Sequence, residues 1–296
     1  MANYSLITFL KNIKFLLTHQ LSELERDTAY RALSQVEDVY YYEIMDAGNN
    51  KPEIPHILPP EESLELILRE PKSFVRFGDG EINIINGKSI PFQDYNQNLA
   101  QIMLEILEKN VNNLYVGINY SYFHTSKHMN EYNRKFYLLD VKPLREFLLK
   151  HCNLKRTYIA AAFNQMYIGS NGNDLHEYYS KIKSMFRNRD LVIFAGQGIL
   201  DGFENDVFEE ANSKEFVWGP SKNAFDHYDE IYAKACTYGK EKTLCFILGP
   251  ASKALVYRLS QDGYMAWDIG HMAKDYEFFC KKQNSENDIK AFYAPD

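Results

Sequence analysis

Seven apolar runs of strand length punctuate the chain beyond residue 70: SFVRF (73–77), NLYVGIN (113–119), RTYIAAAF (156–163), LVIFAG (191–196), EFVWG (215–219), TLCFILG (243–249) and YMAWDIG (264–270). Between them lie segments with helical apolar spacing, such as YNQNLAQIMLEILEKN and SKALVYRLSQDG. Strand-helix alternation of this kind predicts an α/β fold, a mainly parallel sheet with helices on both faces. At 296 residues, 45 % hydrophobic and 15 % aromatic, the chain can bury a large core and does not read as disordered.

A formal charge of −7 gives no general attraction to phosphate polymers or anionic lipid, so nucleic acid is not an expected partner. Four widely spaced cysteines, Cys152, Cys236, Cys245 and Cys280, form no CxxC pair and no zinc or disulfide spacing, which fits a reducing cytoplasm. The N-terminal stretch MANYSLITFLKNIKFLLTHQ is interrupted by Lys11 and Lys14 and has no small-residue cleavage site, so it reads as neither signal peptide nor membrane span. Its Leu6, Phe9, Leu10, Ile13, Leu16 and Leu17 follow helical spacing. That stripe suits a packing or homo-oligomerising helix, with peripheral membrane association as the alternative. A Gly, Asn and proline-rich break, AGNNKPEIPHILPPEES, divides a helical extension, 1–55, from the strand-bearing domain, 56–296.

In open α/β sheets ligands bind beyond the carboxyl ends of the strands, so chemistry is expected in the segments that follow the runs. After the first of these comes GDGE. If the backbone stayed extended there, Asp79 and Glu81 would point to one side, with Gly78 and Gly80 permitting close approach, and two carboxylates suit Mg²⁺ or Mn²⁺ together with substrate phosphates. The alternative is an ordinary Gly-Asp-Gly turn with Glu81 opening a helix, and Arg76 paired structurally with the same carboxylates. In FILGPASKALVYRL, Gly249, Pro250 and Ser252 lead from a strand into a helix whose N-terminus could meet phosphate, or could simply make a sharp corner. In GPSKNAF, Lys222 and Asn223 follow a strand; Lys222 is a candidate diphosphate contact or an ordinary loop lysine.

WDIGHMAKDYEFF brings Asp268, His271, Asp275 and Glu277 after the last strand. A carboxylate near a histidine can deprotonate a hydroxyl, orient a base or complete a metal shell, although Asp268 and His271 also suit a helix start. AGQGILDG (195–202), with Glu215 some twenty positions on, carries a faint dinucleotide fingerprint, but Asp201 stands where the third glycine belongs. Tyr120, Tyr122, Phe123 and Tyr167 offer rings to a base or sugar, or simply pack.

Taken together, RFGDGE, the PxxNAF box and LGPASKALVYRLSQDGYMAWDIGHMAKDYE resemble the bacterial glycosyltransferases of the GT-D fold. That family was long classed as a domain of unknown function and is typified by an enzyme that extends glycans on serine-rich adhesins. The likeness spans roughly residues 60 to 280 and excludes the N-terminal extension. It implies a Rossmann-like catalytic domain that uses a nucleotide-sugar donor and a divalent cation, with a DxE motif, here Asp79-Gly80-Glu81. The family's closing acidic-Tyr-Glu triplet is Asp275-Tyr276-Glu277 in this chain, with Asp where Glu is more frequent.

The resulting expectation is a metal-dependent hexosyltransferase that moves glucose or galactose from a UDP-sugar to a bacterial surface glycan or glycoprotein. Asp79 and Glu81 would hold Mn²⁺ or Mg²⁺ against the diphosphate, Arg76 would assist, and Asp268, His271 or Glu277 would take the acceptor's proton if the transfer inverts. The competing readings are an NAD-type oxidoreductase built on AGQGILDG and a non-catalytic scaffold partnering a true transferase.

Overall fold

The computed structural model describes residue 14 and residues 21–45, 53–124, 126–170 and 174–294. The stripe from Leu6 to Leu17, and with it the expected oligomerising or membrane-surface role, lies outside the described residues. Among the described residues, eight strands form one sheet in the order β1-β4-β3-β2-β8-β7-β5-β6. They are β1 (His56–Ile57), β2 (Ser73–Phe77), β3 (Leu114–Ile118), β4 (Thr157–Ala160), β5 (Asp190–Gly196), β6 (Ser213–Gly219), β7 (Thr243–Ile247) and β8 (Met265–Asp268). Every neighbouring pair runs parallel. Each of the seven apolar runs carries one strand. β1 was not anticipated: two residues set among prolines give no periodic signal, and the strand exists by pairing with β4 through His56–Thr157 and Ile57–Tyr158.

The strands alternate their side chains between two cores. Val75, Phe77, Val192, Phe194, Leu244 and Phe246 face the helices Gln97–Glu108, Glu131–His151, Tyr228–Ala235 and Ala251–Gln261. Phe74, Ile193, Ala195, Cys245, Ile247 and Trp267 face the helices Pro60–Arg69, His176–Ser184 and Met272–Lys281 on the other side. Both faces are therefore apolar, which is why the central strands read as continuous hydrophobic runs without polar alternation.

The connection from β5 to β6 departs from this plan, since residues 197–212 form turns and no helix. The sheet is left bare at that end, where Phe216 and Trp218 stand exposed on β6 with near-parallel rings 5.6 Å apart. In the N-terminal extension a helix, Leu21–Met45, lies against Glu131–His151 through ion pairs of Arg26 with Asp140 (2.7 Å) and of Asp27 with Lys135. No helix among the described residues is long and apolar enough to cross a membrane.

β2 and β8, the second and last strands in the chain, are neighbours at the centre of the sheet. Their one registered pair is Phe74–Trp267, whose rings stack at 5.6 Å. Trp267 also meets Phe186 edge-on, lies beneath the Arg189 guanidinium and donates its indole N–H to the Lys72 carbonyl. Trp267→Ala should lower unfolding free energy by about 3–5 kcal/mol through lost burial and cavity formation, read as a reduced denaturant midpoint at unchanged slope.

Candidate functional site

Four chain segments converge at the carboxyl edge of β2 and β8. Arg76, the penultimate residue of β2, points into the protein, where its Nε donates to the Asp268 carbonyl at 2.9 Å. Its Nη1 donates to the Ala161 carbonyl (3.3 Å) and to Asn164 Oδ1 (2.9 Å), and Nη2 lies 3.6 Å from Asp268 Oδ1. Asn164 is fixed in turn by donating to the Ile269 carbonyl at 2.6 Å. Gly270, at φ +44°, completes the fit: a Cβ there would lie 1.8 Å from Arg76 Nη2, so only glycine satisfies both the backbone angle and the guanidinium.

Beside Arg76 lies a second buried cation. Lys253, in the first turn of the Ala251–Gln261 helix, places Nζ 2.8 Å from Glu81 Oε1 and 3.1 Å from Asp268 Oδ2. Two cations and two carboxylates thus share one enclosed cluster, and Asp268, 1 % exposed, also accepts the Arg76 backbone N–H at 3.1 Å.

The chain does not continue extended past β2. It turns at Gly78 directly into a helix, Asp79–Ile85, so the two acidic residues of the DxE motif part company. Glu81 turns back, with Oε2 accepting the Gly78 N–H at 2.9 Å while Oε1 meets Lys253. Burial opposes its ionisation, but the charge and hydrogen bond of Lys253, the Gly78 N–H and Arg76 outweigh that and hold its pKa below the ordinary glutamate value. Asp79 is exposed as a residue. The protein packed around its carboxyl, and then the charge of Glu81, push its pKa above the ordinary aspartate value. Gly80 fits the site closely, since a Cβ there would come within 3.3 Å of Ile90.

Several residues expected to meet substrate face inward instead. Ser252 is fully buried and its hydroxyl accepts the Leu248 N–H at 3.1 Å, which closes the corner made by Gly249, at φ +57°, and Pro250. Asn223 adopts a left-handed conformation and pins a neighbouring loop: its Oδ1 accepts the Asp94 N–H at 2.7 Å, and its backbone N–H donates to the Phe92 carbonyl at 2.9 Å. Lys222 is exposed. Glu277 is buried and accepts the N–H groups of Glu204 and Asn205 while pairing with Lys281 at 2.7 Å, which makes it a loop anchor. Among the three candidate bases, His271 alone keeps partial exposure, with Nδ1 3.4 Å from Gln165 Nε2. Tyr122, Phe123 and Tyr167 are core residues, whereas Tyr120 is half-buried and stacks on His124 at 3.8 Å.

Asp275 is fully buried, accepts the Tyr167 and Ile168 N–H groups at 3.2 and 3.0 Å and the Tyr179 hydroxyl, and so caps the short helix Met166–Gly169. The dinucleotide reading of AGQGILDG loses its physical basis, because no helix N-terminus follows the turn at Gly198 to receive a pyrophosphate. Lys253 and Asn164 escaped the sequence reading. The available signal for Lys253 was a lysine inside ASKALVY, a segment otherwise without charge.

Among the described residues no group of three or more His, Cys, Asp and Glu side chains is arranged to hold a metal ion. Asp79 nonetheless suits a hard cation of the kind that takes one or two carboxylates and completes its shell with substrate phosphate and water. Asp79 would fit a metal that arrives with an anionic substrate, and the described residues form no resident metal centre.

A family model described as the glycosyltransferase GT-D fold matches residues 74–294. Glycosyltransferase GlyD of Streptococcus pneumoniae serotype 4 is 31 % identical over 231 residues, covering 78 % of this chain and 28 % of that protein. A probable glycosyl transferase, Gly, of Streptococcus gordonii is 29 % identical over 232 residues, covering 75 % of this chain and 33 % of its own length. The chain therefore spans about a third of the length of these curated relatives. Among solved structures, the conserved domain of unknown function 1792, described as having a distinct glycosyltransferase fold, superposes with TM-score 0.75 at 30 % identity over 86 % of this chain and 95 % of that one. A glycosyltransferase of the same domain type from Streptococcus sanguinis gives TM-score 0.73 at 28 % identity, over 79 % and 92 % of the two chains.

Two measurements probe this geometry. Gly270→Ala should displace the Arg76 guanidinium and lower the melting temperature by several degrees, whereas Gly87→Ala, also at positive φ but with open space around it, should cost less. Burial raises the Asp275 pKa to about 6, against the hydrogen bonds that favour its ionised form. The native state therefore binds that proton more tightly than the unfolded chain. The associated stability is complete below the unfolded pKa near 4 and is lost as pH rises through 6, amounting to about 3 kcal/mol. The stability of the native sequence relative to Asp275→Asn should accordingly fall between pH 4 and pH 7 in paired denaturant titrations.

Proposed function

This chain belongs to the GT-D-fold glycosyltransferase family, and on that premise we propose that it transfers a hexose, glucose or galactose, from a UDP-sugar to a bacterial surface glycan or glycoprotein with the help of Mn²⁺ or Mg²⁺. The observation that carries the proposal is Asp79 at the exit of β2, a solvent-exposed residue set beside a closed cluster of two cationic and two carboxylate side chains.

Sugar transfer breaks the bond between the anomeric carbon and the diphosphate oxygen. The electron pair leaves with the nucleotide, the acceptor oxygen bonds to the same carbon, and the acceptor's proton passes to a base. Rate depends chiefly on stabilising the charge that develops on the departing diphosphate. A divalent ion, when bound, supplies Lewis-acid neutralisation of that charge. Asp79 would hold the ion. Arg76 directs its donors inward, so its part is to brace the strand exits rather than to contact the diphosphate.

His271 is the residue best placed to take the proton in an inverting transfer, or to position the acceptor in a retaining one, because Asp268 and Glu277 already have their oxygens engaged inside the protein. The half-buried ring of Tyr120 is the remaining aromatic candidate for stacking on the base or a sugar. No particular observation favours a non-catalytic scaffold.

Incubation with UDP-glucose and UDP-galactose should release UDP in the presence of Mn²⁺, stop on addition of a chelator and resume when metal is restored. Asp79→Asn should reduce kcat about 10²-fold or more, and full activity in that variant would overturn the role given to the carboxylate.

A further inference from the structure

The two acidic residues of the DxE motif differ in what surrounds them, and Lys253 is the cause. A buried ammonium has three N–H donors to satisfy. Those of Lys253 have Glu81 Oε1 at 2.8 Å, Asp268 Oδ2 at 3.1 Å and the Gly249 carbonyl at 3.5 Å, and the side chain is 5 % exposed, so nothing is left over for a substrate phosphate. Glu81, its side chain 13 % exposed, has one oxygen on Lys253 and the other on the Gly78 N–H. Asp268 is locked from its far side by Arg76.

We infer that Lys253 is a positioning residue of the transferase site: its ammonium acts as a tethered cation that keeps Glu81 and Asp268 turned inward, so that Asp79 is the carboxylate of the motif left to bind a divalent ion. The inference rests on the metal-dependent reading above and divides the motif's labour. Asp79 provides the direct ligand, and Glu81 ties the start of the Asp79–Ile85 helix to the helix that follows β7.

Removing the lysine charge while leaving its aliphatic bulk should release Glu81 as a second carboxylate and take a positive charge away from the metal's surroundings. Manganese affinity should therefore rise.

The test is titration of Mn²⁺ in the presence of UDP, followed by the electron paramagnetic resonance signal of free Mn²⁺, on the native protein and on Lys253→Met, Glu81→Gln, the charge-balanced double variant and Asp79→Asn. Lys253→Met should bind Mn²⁺ about tenfold more tightly, and adding Glu81→Gln should take that gain away. Glu81→Gln alone should stay within about threefold of the native affinity, while Asp79→Asn should lose at least about tenfold.

A purely structural lysine would alter thermal stability without tightening the metal. Unchanged or weaker binding in Lys253→Met, or a loss in Glu81→Gln as large as that in Asp79→Asn, overturns the assignment and leaves the metal-dependent reading standing. If Lys253→Met does not fold, the comparison of Glu81→Gln with Asp79→Asn decides alone. Native protein that binds no Mn²⁺ beside UDP removes the metal-dependent reading itself, a distinct outcome visible before any variant is compared.

Discussion

A guanidinium enclosed beneath the carboxyl edge of a sheet is the constraint to which the rest of this site conforms. An unpaired charge in that position would cost several kcal/mol. Arg76 is therefore surrounded by acceptors from β8, from the segment after β4 and from Asn164, and Gly270 has no side chain because the guanidinium occupies that space. Asp268 answers Arg76, Lys253 answers Asp268, and Glu81 answers Lys253. The chain of compensation ends at Asp79, which has solvent in front of it. Rigid partners behind and an open carboxylate ahead are what preorganised electrostatics requires: dipoles and charges that need not rearrange when a charged group arrives.

The parallel sheet was legible because its central strands are covered on both faces, which turns them into uninterrupted apolar runs such as LVIFAG and TLCFILG. What escaped was decided by distant packing. β1 is held by its partner β4 and by nothing in its own two residues. The β5–β6 connection carried only a faint dinucleotide fingerprint; Gly196 ends its strand with no room for a Cβ, which would meet Ser221 at 2.8 Å and Ile199 at 2.5 Å, and the chain crosses by turns alone.

For the candidate site, residue type and order along the chain pointed to the segments that follow the strands, several of which meet at the carboxyl edge of β2 and β8. They gave no indication of which side chains face inward. Asp268, Glu277, Ser252 and Asn223 are all polar residues in segments following strands, and each is engaged in holding the backbone of another segment. The orientation of a carboxylate is a tertiary property, set by whether a cation such as Lys253 or a backbone N–H such as that of Gly78 awaits it. Asp79 and Glu81 illustrate the point most directly, since two residues of like chemistry, separated by a single glycine, end in different environments.

The meeting of β2 with β8 has a further consequence for how the molecule is made. Arg76 and Asp268 are 192 residues apart, so their union closes a loop that takes in most of the chain. Such long-range pairings are entropically late events in folding. Synthesis must run 192 residues past the arginine before its guanidinium can find that carboxylate, whereas the Ala161 and Asn164 acceptors are made earlier. The edge where β2 meets β8 accordingly needs both ends of this long loop, and no fragment that stops short of β8 can form it.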